Sequence, residues 1–555
     1  MPAEQTYRLR IAILCRGLEF EAWEAECIRQ VLSLDFVTPV LLIAQAEQTQ
    51  TRSFTQKVLK YPSRRLWKMY DRRLKIKERA PVQLNDLPGS VPLIRCTVEQ
   101  RGKYSQYFSE ADIQTIRSHG PDIILRFGFD IIRGEILTVA PYGVWSFHHA
   151  DEQHIRGGPG GFWEIMLGHP ATGAILQRLS DKLDAGIVLR KGWFGTLQHS
   201  YAANLSQLLS GTTGWMRQVC IDIRNGRADY FNAKPVETKA KIYSFPTNAQ
   251  MIRFRFRLLA NKLKFHWQEL FRPEHWNVGI VRKPYETAAL QAIPPNVEWL
   301  REDAARIFKA DPFGFIENGK EVVLYEKYDY ALGRGIIAAQ IDGKESHALE
   351  TEKHLSFPFV LQQDGKTFVL PEANNSGEAV LYEWKNGRLE NPRTLLPFPL
   401  VDANIVFYKD RYWLFCTRED EGPNHHLHIY FSDKLEGEWR PHANNPVKCD
   451  IRSARPAGAA FVKEGRLYRP GQDCTPAYGS AVVVHEVLEL SETVFREAAV
   501  QRIEPHASWK LSAGLHHVAP LGNEAMLFDA KRYAFNSANF KRVLKRKLKR
   551  LGGGS

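Results

Sequence analysis

Two sets of residues in this 555-residue chain have the types and spacing to do chemistry. The first lies between Ser146 and Gly186, where Ser146, His148, Arg156-Gly157, Trp163, Gly168, Gly173 and Asp184-Ala185-Gly186 follow one another at short intervals. A histidine ring oriented by a carboxylate can relay a proton from a nucleophile. Polar donors aimed at a developing oxyanion lower the barrier to a tetrahedral intermediate. The second set lies in the C-terminal half, where Asp311, Asp402, Arg455 and His516 sit at the starts of similar segments and Glu372 follows Leu370-Pro371. Paired carboxylates at close range cleave glycosidic bonds, and their separation sets the stereochemical outcome.

The first set resembles the folate-dependent formyltransferases, the family of methionyl-tRNA, glycinamide ribonucleotide and sugar N-formyltransferases. That family carries N-x-H, then R-G, W, G, G and L-D-x-G, and residues 146–186 can be laid on this pattern without a gap, with Ser146 in place of the Asn. The resemblance spans roughly residues 8–225. It implies an α/β, Rossmann-type formyltransferase fold, 10-formyltetrahydrofolate as cofactor, and His148, Asp184 and Ser146 as the catalytic residues. It also sets Arg126-Phe127-Gly128 beside the folate pterin, with Asp184, although Arg126 replaces a residue that is small in the family. A serine hydroxyl reaches less far than an asparagine amide. Loss of one oxyanion donor costs about a hundredfold in rate.

The elements that must position the first set read as alternating strands and helices. Arg10–Leu14, Pro39–Ala44 and Asp122–Arg126 are apolar strands, and Ala22–Leu34 and Ile113–His119 carry helical spacing. Such alternation builds a mostly parallel sheet, whose ligands bind beyond the carboxyl ends of the strands. The glycines at 157, 158, 160 and 161 offer a nest of backbone donors suited to phosphate, or a ligand-free loop.

A chain this long exceeds one ordinary core, so at least two domains are expected. There is no signal-peptide-like opening and no apolar run of membrane-spanning length, which predicts a soluble, cytoplasmic protein. Seven scattered cysteines without a CxxC pair predict reduced thiols and no metal site. The net charge of +13 is concentrated in three runs, Arg64–Arg79, Arg253–Lys264 and Lys541–Arg550. In the last run Phe540, Val543, Leu544, Leu548 and Leu551 recur at helical spacing among basic residues. This amphipathic tail predicts peripheral contact with an anionic membrane, at its inner face, an acidic partner being the other option. No motif or aromatic platform points to nucleic acid. The final Gly-Gly-Gly-Ser is linker-like.

Residues 236–275 read as a basic, aromatic helical connector, with its best helix at Met251–Leu270 and its apolar residues expected to pack between domains. Beyond it, five segments share one shape: a polar or proline start, an apolar strand, a Gly or Asp turn, and an aromatic-rich strand. They begin at 311, 357, 402, 455 and 516. Repeats of this length signal propeller blades. The half resembles the five-bladed β-propellers of arabinanases and β-xylosidases, and more closely the propeller of the glucosamine inositolphosphorylceramide transferases. By that resemblance Asp311 is the general base, Asp402 a modulating carboxylate and Glu372 the third carboxylate, with Arg455 and His516 in the same channel.

The expected layout is therefore an α/β formyltransferase-like domain (1–235), the connector (236–275), an all-β five-bladed propeller (276–535) and a basic tail (536–555). The leading expectation is formyl transfer from 10-formyltetrahydrofolate to an amine on a sugar or glycan, with the propeller binding the sugar. One rival makes the propeller a glycosidase or glycosyl-transferring module beside a degenerate first domain. Another makes the chain a non-catalytic glycan-binding protein. Oligomeric state and acceptor stay open.

Overall fold

The computed structural model describes residues 8–46, 62–84, 87, 91–102, 105–182, 186–235, 237–373 and 376–552. The chain divides into two compact units, Met1–Asn261 and Lys262–Ser555.

The first unit is built on a seven-stranded sheet. Strand Leu9–Cys15 pairs in parallel with Val37–Gln45 on one side and Ile123–Arg126 on the other. Val144–His148 continues the parallel order beside Ile123–Arg126. Ala171–Arg178 and Ile187–Gly195 close that edge as antiparallel strands. The central strands are buried on both faces, which is why they read as continuous apolar runs. Helix Ala22–Leu32 starts on a reciprocal cap between Glu21 and Glu24, and Glu110–Ser118 starts on the Ser109 hydroxyl.

The second unit consists of five antiparallel sheets, four of them four-stranded and one five-stranded. Each of the five repeated segments forms the first hairpin of a sheet or its closing pair. Ile307–Glu317 pairs with Lys320–Asp329, Leu355–Gln363 with Lys366–Ala373, and Val401–Phe407 with Tyr412–Thr417. The remaining hairpins are Phe461–Lys463 with Arg466–Asp473 and Val518–Leu521 with Ala525–Tyr533. Glu274–Val281, the first strand of the unit, pairs with Ala525–Tyr533 near its end. That pairing joins the start of the β-propeller to its finish. A single apolar cluster runs from Val281 through Phe313, Phe359, Leu414 and Val482 to Phe528, drawing on all five sheets.

Helix Asn248–Phe271 buries Met251 and Phe254. Phe254 packs on Phe162 with ring centroids 4.2 Å apart. Ile252, Phe256, Leu259, Leu263 and Trp267 are each more than half exposed. They recur three and four residues apart, on one side of the helix. All seven cysteines are buried and unpaired. Among the described residues no helix is long and apolar enough to cross a membrane.

Candidate active site

The motif in the first unit separates into residues that hold the fold and residues at the sheet edge. Arg156-Gly157 pairs with Ile242-Tyr243, and the Trp163 indole donates to the Gly158 carbonyl at 3.1 Å. At Gly173 a Cβ would lie 2.6 Å from the Asp151 Cβ, so glycine lets that loop close on the sheet. Asp151 accepts from Lys191 Nζ at 2.8 Å and from the Trp193 indole at 3.1 Å. Burial works to raise its pKa, but Lys191, Gln153 and Trp193 together bring it below the usual carboxylate range. Asp151 was not singled out from the sequence, where it is one acid among many.

Ser146 and His148 end their strand beside Arg126. The Arg126 guanidinium donates to the Ser146 hydroxyl at 2.9 Å and to the carbonyls of Phe129 and Asp130 at 3.0 and 2.5 Å. Burial lowers its pKa to about 10. The Ser146 hydroxyl in turn faces the Phe147 carbonyl at 3.4 Å. Nε2 of His148 lies 3.1 Å from the Ile155 carbonyl, so it is the nitrogen that donates there. The neighbouring His149 is stacked on Phe147, and burial pushes its pKa down to about 3. Phe127 is buried against Trp23 with ring centroids 5.8 Å apart, and Gly128 donates to the Leu14 carbonyl at 3.0 Å. Asp184 lies outside the described residues.

The second unit gathers its candidates around one cavity of about 340 Å³, whose wall includes Asp311, Glu326, Glu372, Arg455, Tyr478 and His516. Three successive repeats share one backbone device at their starts. Asp311, Phe357 and Asp402 occupy equivalent places in successive repeats and have φ of 52°, 44° and 48°. Each sits in a register shift of its first hairpin, between Ala310 and Phe313, Ser356 and Phe359, and Val401 and Asn404. A bulge of this kind re-aims a side chain out of the pleat. A bulky residue at positive φ is strained, and such strain collects at functional sites.

Asp402 sits behind the wall, held by Arg455 Nε at 2.5 Å, Arg455 Nη2 at 3.2 Å and Gln472 Nε2 at 2.6 Å. Its backbone N–H donates to Glu372 at 3.1 Å. Asp529, absent from the sequence candidates, accepts from the Asp311 N–H at 3.0 Å and from the His516 N–H at 3.2 Å. It also accepts from His516 Nδ1 at 2.7 Å, while His516 Nε2 faces Asp311 at 3.4 Å. Trp276 stacks on the His516 ring at 4.0 Å.

The charges sort accordingly. Burial opposes ionisation of both His516 and Asp529, yet their pairing wins: the imidazole is raised and the carboxyl lowered, so both stay charged. For Asp311, burial and then the Asp402 and Asp529 charges outweigh His516 and lift the carboxyl to about 7. Glu326 is pushed well up by burial and then by Asp311 and Glu372. Glu372 is pushed well up by burial and then by Asp402, against the opposing pull of Arg455. The cavity thus combines two carboxyls whose ionisation is opposed by burial and by neighbouring acids, one carboxyl poised near neutrality and, beside Asp311, the pair of Asp529 with His516. Ligand atoms of Asp311, His516 and Asp529 also lie within 4.8 Å of one another, a donor set that could hold a cation and that the sequence did not suggest.

Glu326 was legible in principle. It pairs across its hairpin with Ala310, as Glu372 pairs with Ser356, and the two glutamates are separated by the repeat interval that also separates 311 from 357.

Residues 299–513 match the family model described as glucosamine inositolphosphorylceramide transferase 1, N-terminal. Over 207 residues the chain is 35% identical to glucosamine inositolphosphorylceramide transferase 1 of Arabidopsis thaliana and 32% identical to that of Oryza sativa subsp. japonica. These alignments take in 35% of this chain and 27% and 28% of the relatives, so the chain spans just over a quarter of the length of the curated relatives it matches. Among solved structures, the catalytic domain of a Coprinopsis cinerea GH62 α-L-arabinofuranosidase overlaps 46% of this chain and 86% of its own, at 14% identity and a TM-score of 0.31. A glycinamide ribonucleotide transformylase 1 from Symbiobacterium toebii overlaps 40% and 91%, at 14% identity and a TM-score of 0.27.

Proposed function

We propose that the propeller is the enzymatic half, acting on a glycosidic bond by acid–base chemistry and transferring or releasing the sugar. The observation that carries this reading is the set of carboxyls that line one cavity, Asp311, Glu326 and Glu372, whose ionisation burial and their neighbouring acids oppose, with Asp311 lifted to about 7. A protonated Glu326 or Glu372 supplies the leaving oxygen with its proton, and ionised Asp311 accepts one from the incoming hydroxyl. Asp402, clamped by Arg455, fixes the field around Glu372. The curated relatives are named as transferases of glucosamine inositolphosphorylceramide, which makes an amino sugar joined to an inositolphosphoryl lipid the first substrate class to try. The five sheets are then the blades of one ring around the cavity. The test is turnover of such a glycolipid, with nucleotide sugars as donors, by the wild type and by Asp311→Asn, Glu326→Gln and Glu372→Gln. Unchanged turnover in all three variants would remove the propeller from the chemistry.

One observation favours a second reading, one-carbon transfer to an amine from 10-formyltetrahydrofolate in the first unit. Ser146, His148 and Arg126 meet at the edge where ligands of such sheets bind. The fit is partial. Arg126 and the Phe147 carbonyl occupy the Ser146 hydroxyl and His148 Nε2 lies on the Ile155 carbonyl, so an oxyanion here would have to displace one of these contacts or draw on the buried Nε of Arg126. A calorimetric titration with a stable formyl-folate analogue decides it, because binding lost in His148→Ala supports this site and absence of binding at millimolar ligand removes it.

A further inference from the structure

We infer that helix Asn248–Phe271 and the C-terminal helix Ser537–Gly552 seat the protein on the surface of an anionic lipid bilayer. This goes beyond the proposed reaction and does not depend on it. Exposed large apolar side chains are ordinary when scattered, but a contiguous stripe bordered by charge is an interaction surface. Leu263, Trp267, Phe271, Phe535, Leu544 and Leu548 are 38–63% exposed. They are connected: Trp267 lies 6.0 Å from Phe271, which lies 6.3 Å from Phe535 and 5.5 Å from Phe540, and Leu544 and Leu548 follow Phe540 at helical intervals.

Charge selects the occupant. Glu269 is the single acidic residue of the longer helix, and the C-terminal helix has none. Glu269 is already used, pairing with Arg546 and with Lys547 at 2.7 Å, which ties the tail to the end of the longer helix. The tail is therefore not the free cationic helix that its sequence suggests. Lys262, Lys264, Lys541, Lys545 and Lys549 stay exposed beside the apolar stripe. An apolar face with indole and phenyl rings, flanked by lysines, matches the acyl–headgroup boundary of a bilayer carrying anionic lipid. An acidic protein or a nucleic acid would use the lysines but would leave the apolar stripe in water.

The test is flotation of the full chain with phosphatidylcholine vesicles with and without about 30% phosphatidylserine, at low and raised salt. The proposal expects binding to the anionic vesicles only, weakened by salt. It also expects a loss of at least about tenfold in partitioning when Trp267, Phe535 and Leu548 are all changed to Ser, and a similar loss for Lys545→Ser with Lys549→Ser. Because the three apolar residues are exposed, the melting profile should be unchanged. Should that variant misfold, quenching by brominated acyl chains, read as the difference between wild type and Trp267→Phe, reports the same insertion. Failure to bind anionic vesicles at low salt overturns the proposal. So does equal partitioning of the apolar variant, or absence of a Trp267-dependent quenching difference, either of which would leave a polyanion-binding surface.

Discussion

The edge of the first sheet and the cavity of the propeller both assemble polar residues, but they leave them in opposite conditions. At the sheet edge most of the hydrogen-bonding capacity is used internally: Arg126 donates through both Nη atoms to Ser146 and two carbonyls, with only its buried Nε left without a partner, and His148 lies on the Ile155 carbonyl. In the propeller Glu326 and Glu372 are buried among other acids, and Asp311 is lifted to about 7. Burying carboxyls together opposes folding, because each disfavours ionisation of the next. A motif that satisfies itself describes a scaffold, whereas one held in tension points to chemistry.

The largest expected effect separates the two regions directly. Asp311→Asn should lower glycosyl turnover by about a thousandfold, the scale of a lost general base. His148→Ala should leave the same turnover within about twofold, since nothing in the proposed chemistry passes through it. Steady-state kinetics on both variants checks this, and the reverse ranking would restore the sheet edge as the active site. Next in size is Arg455→Met. Asp402 is buried and is held by two guanidinium bonds, so removing Arg455 strands a buried charge and should cost about 3–5 kcal/mol in urea denaturation.

The pH dependence sharpens the comparison further. With Asp311 as base, kcat/KM should rise tenfold per pH unit below an apparent pKa near 7 and level off above it. Stability should run the other way. The folded carboxyl holds its proton up to about 7, whereas the unfolded one loses it near the ordinary aspartate value of 3.8, so stability falls as pH climbs between these values. Asp311→Asn should flatten that slope, measured as denaturation midpoints from pH 4 to 8. A slope unchanged in the variant would mean that Asp311 does not carry the proton.

Much of this architecture was legible because it is periodic. The apolar runs of Leu9–Cys15 and Ile123–Arg126 mark strands buried on both faces, and the starts at 311, 357 and 402 mark a repeated hairpin. The same interval would have delivered Glu326 from Glu372, but a partner on the second strand of a hairpin shows only once the pairing is known. Asp529 was illegible for a stronger reason. It serves the site from the last strand of the unit, 218 residues from the Asp311 amide it accepts from, and no local pattern encodes that contact. The stripe of helix Asn248–Phe271 was visible as apolar periodicity, but periodicity does not say whether a face is covered.

The smallest expected effect tests the scaffold side of the comparison. Gly173→Ala places a methyl 2.6 Å from the Asp151 Cβ and 2.8 Å from its backbone, where neither strand nor loop can yield cheaply. Overpacking of this kind costs about 1–3 kcal/mol. The loss should appear in the unfolding of the first unit, read by limited proteolysis. Propeller turnover and the melting of the second unit should stay at wild-type values, because the catalytic carboxyls proposed here all belong to that unit. If Gly173→Ala instead abolished glycosyl turnover while the chain remained folded, the first unit would have to take part in the reaction. The self-satisfied contacts around Arg126 would then have to rearrange when substrate binds.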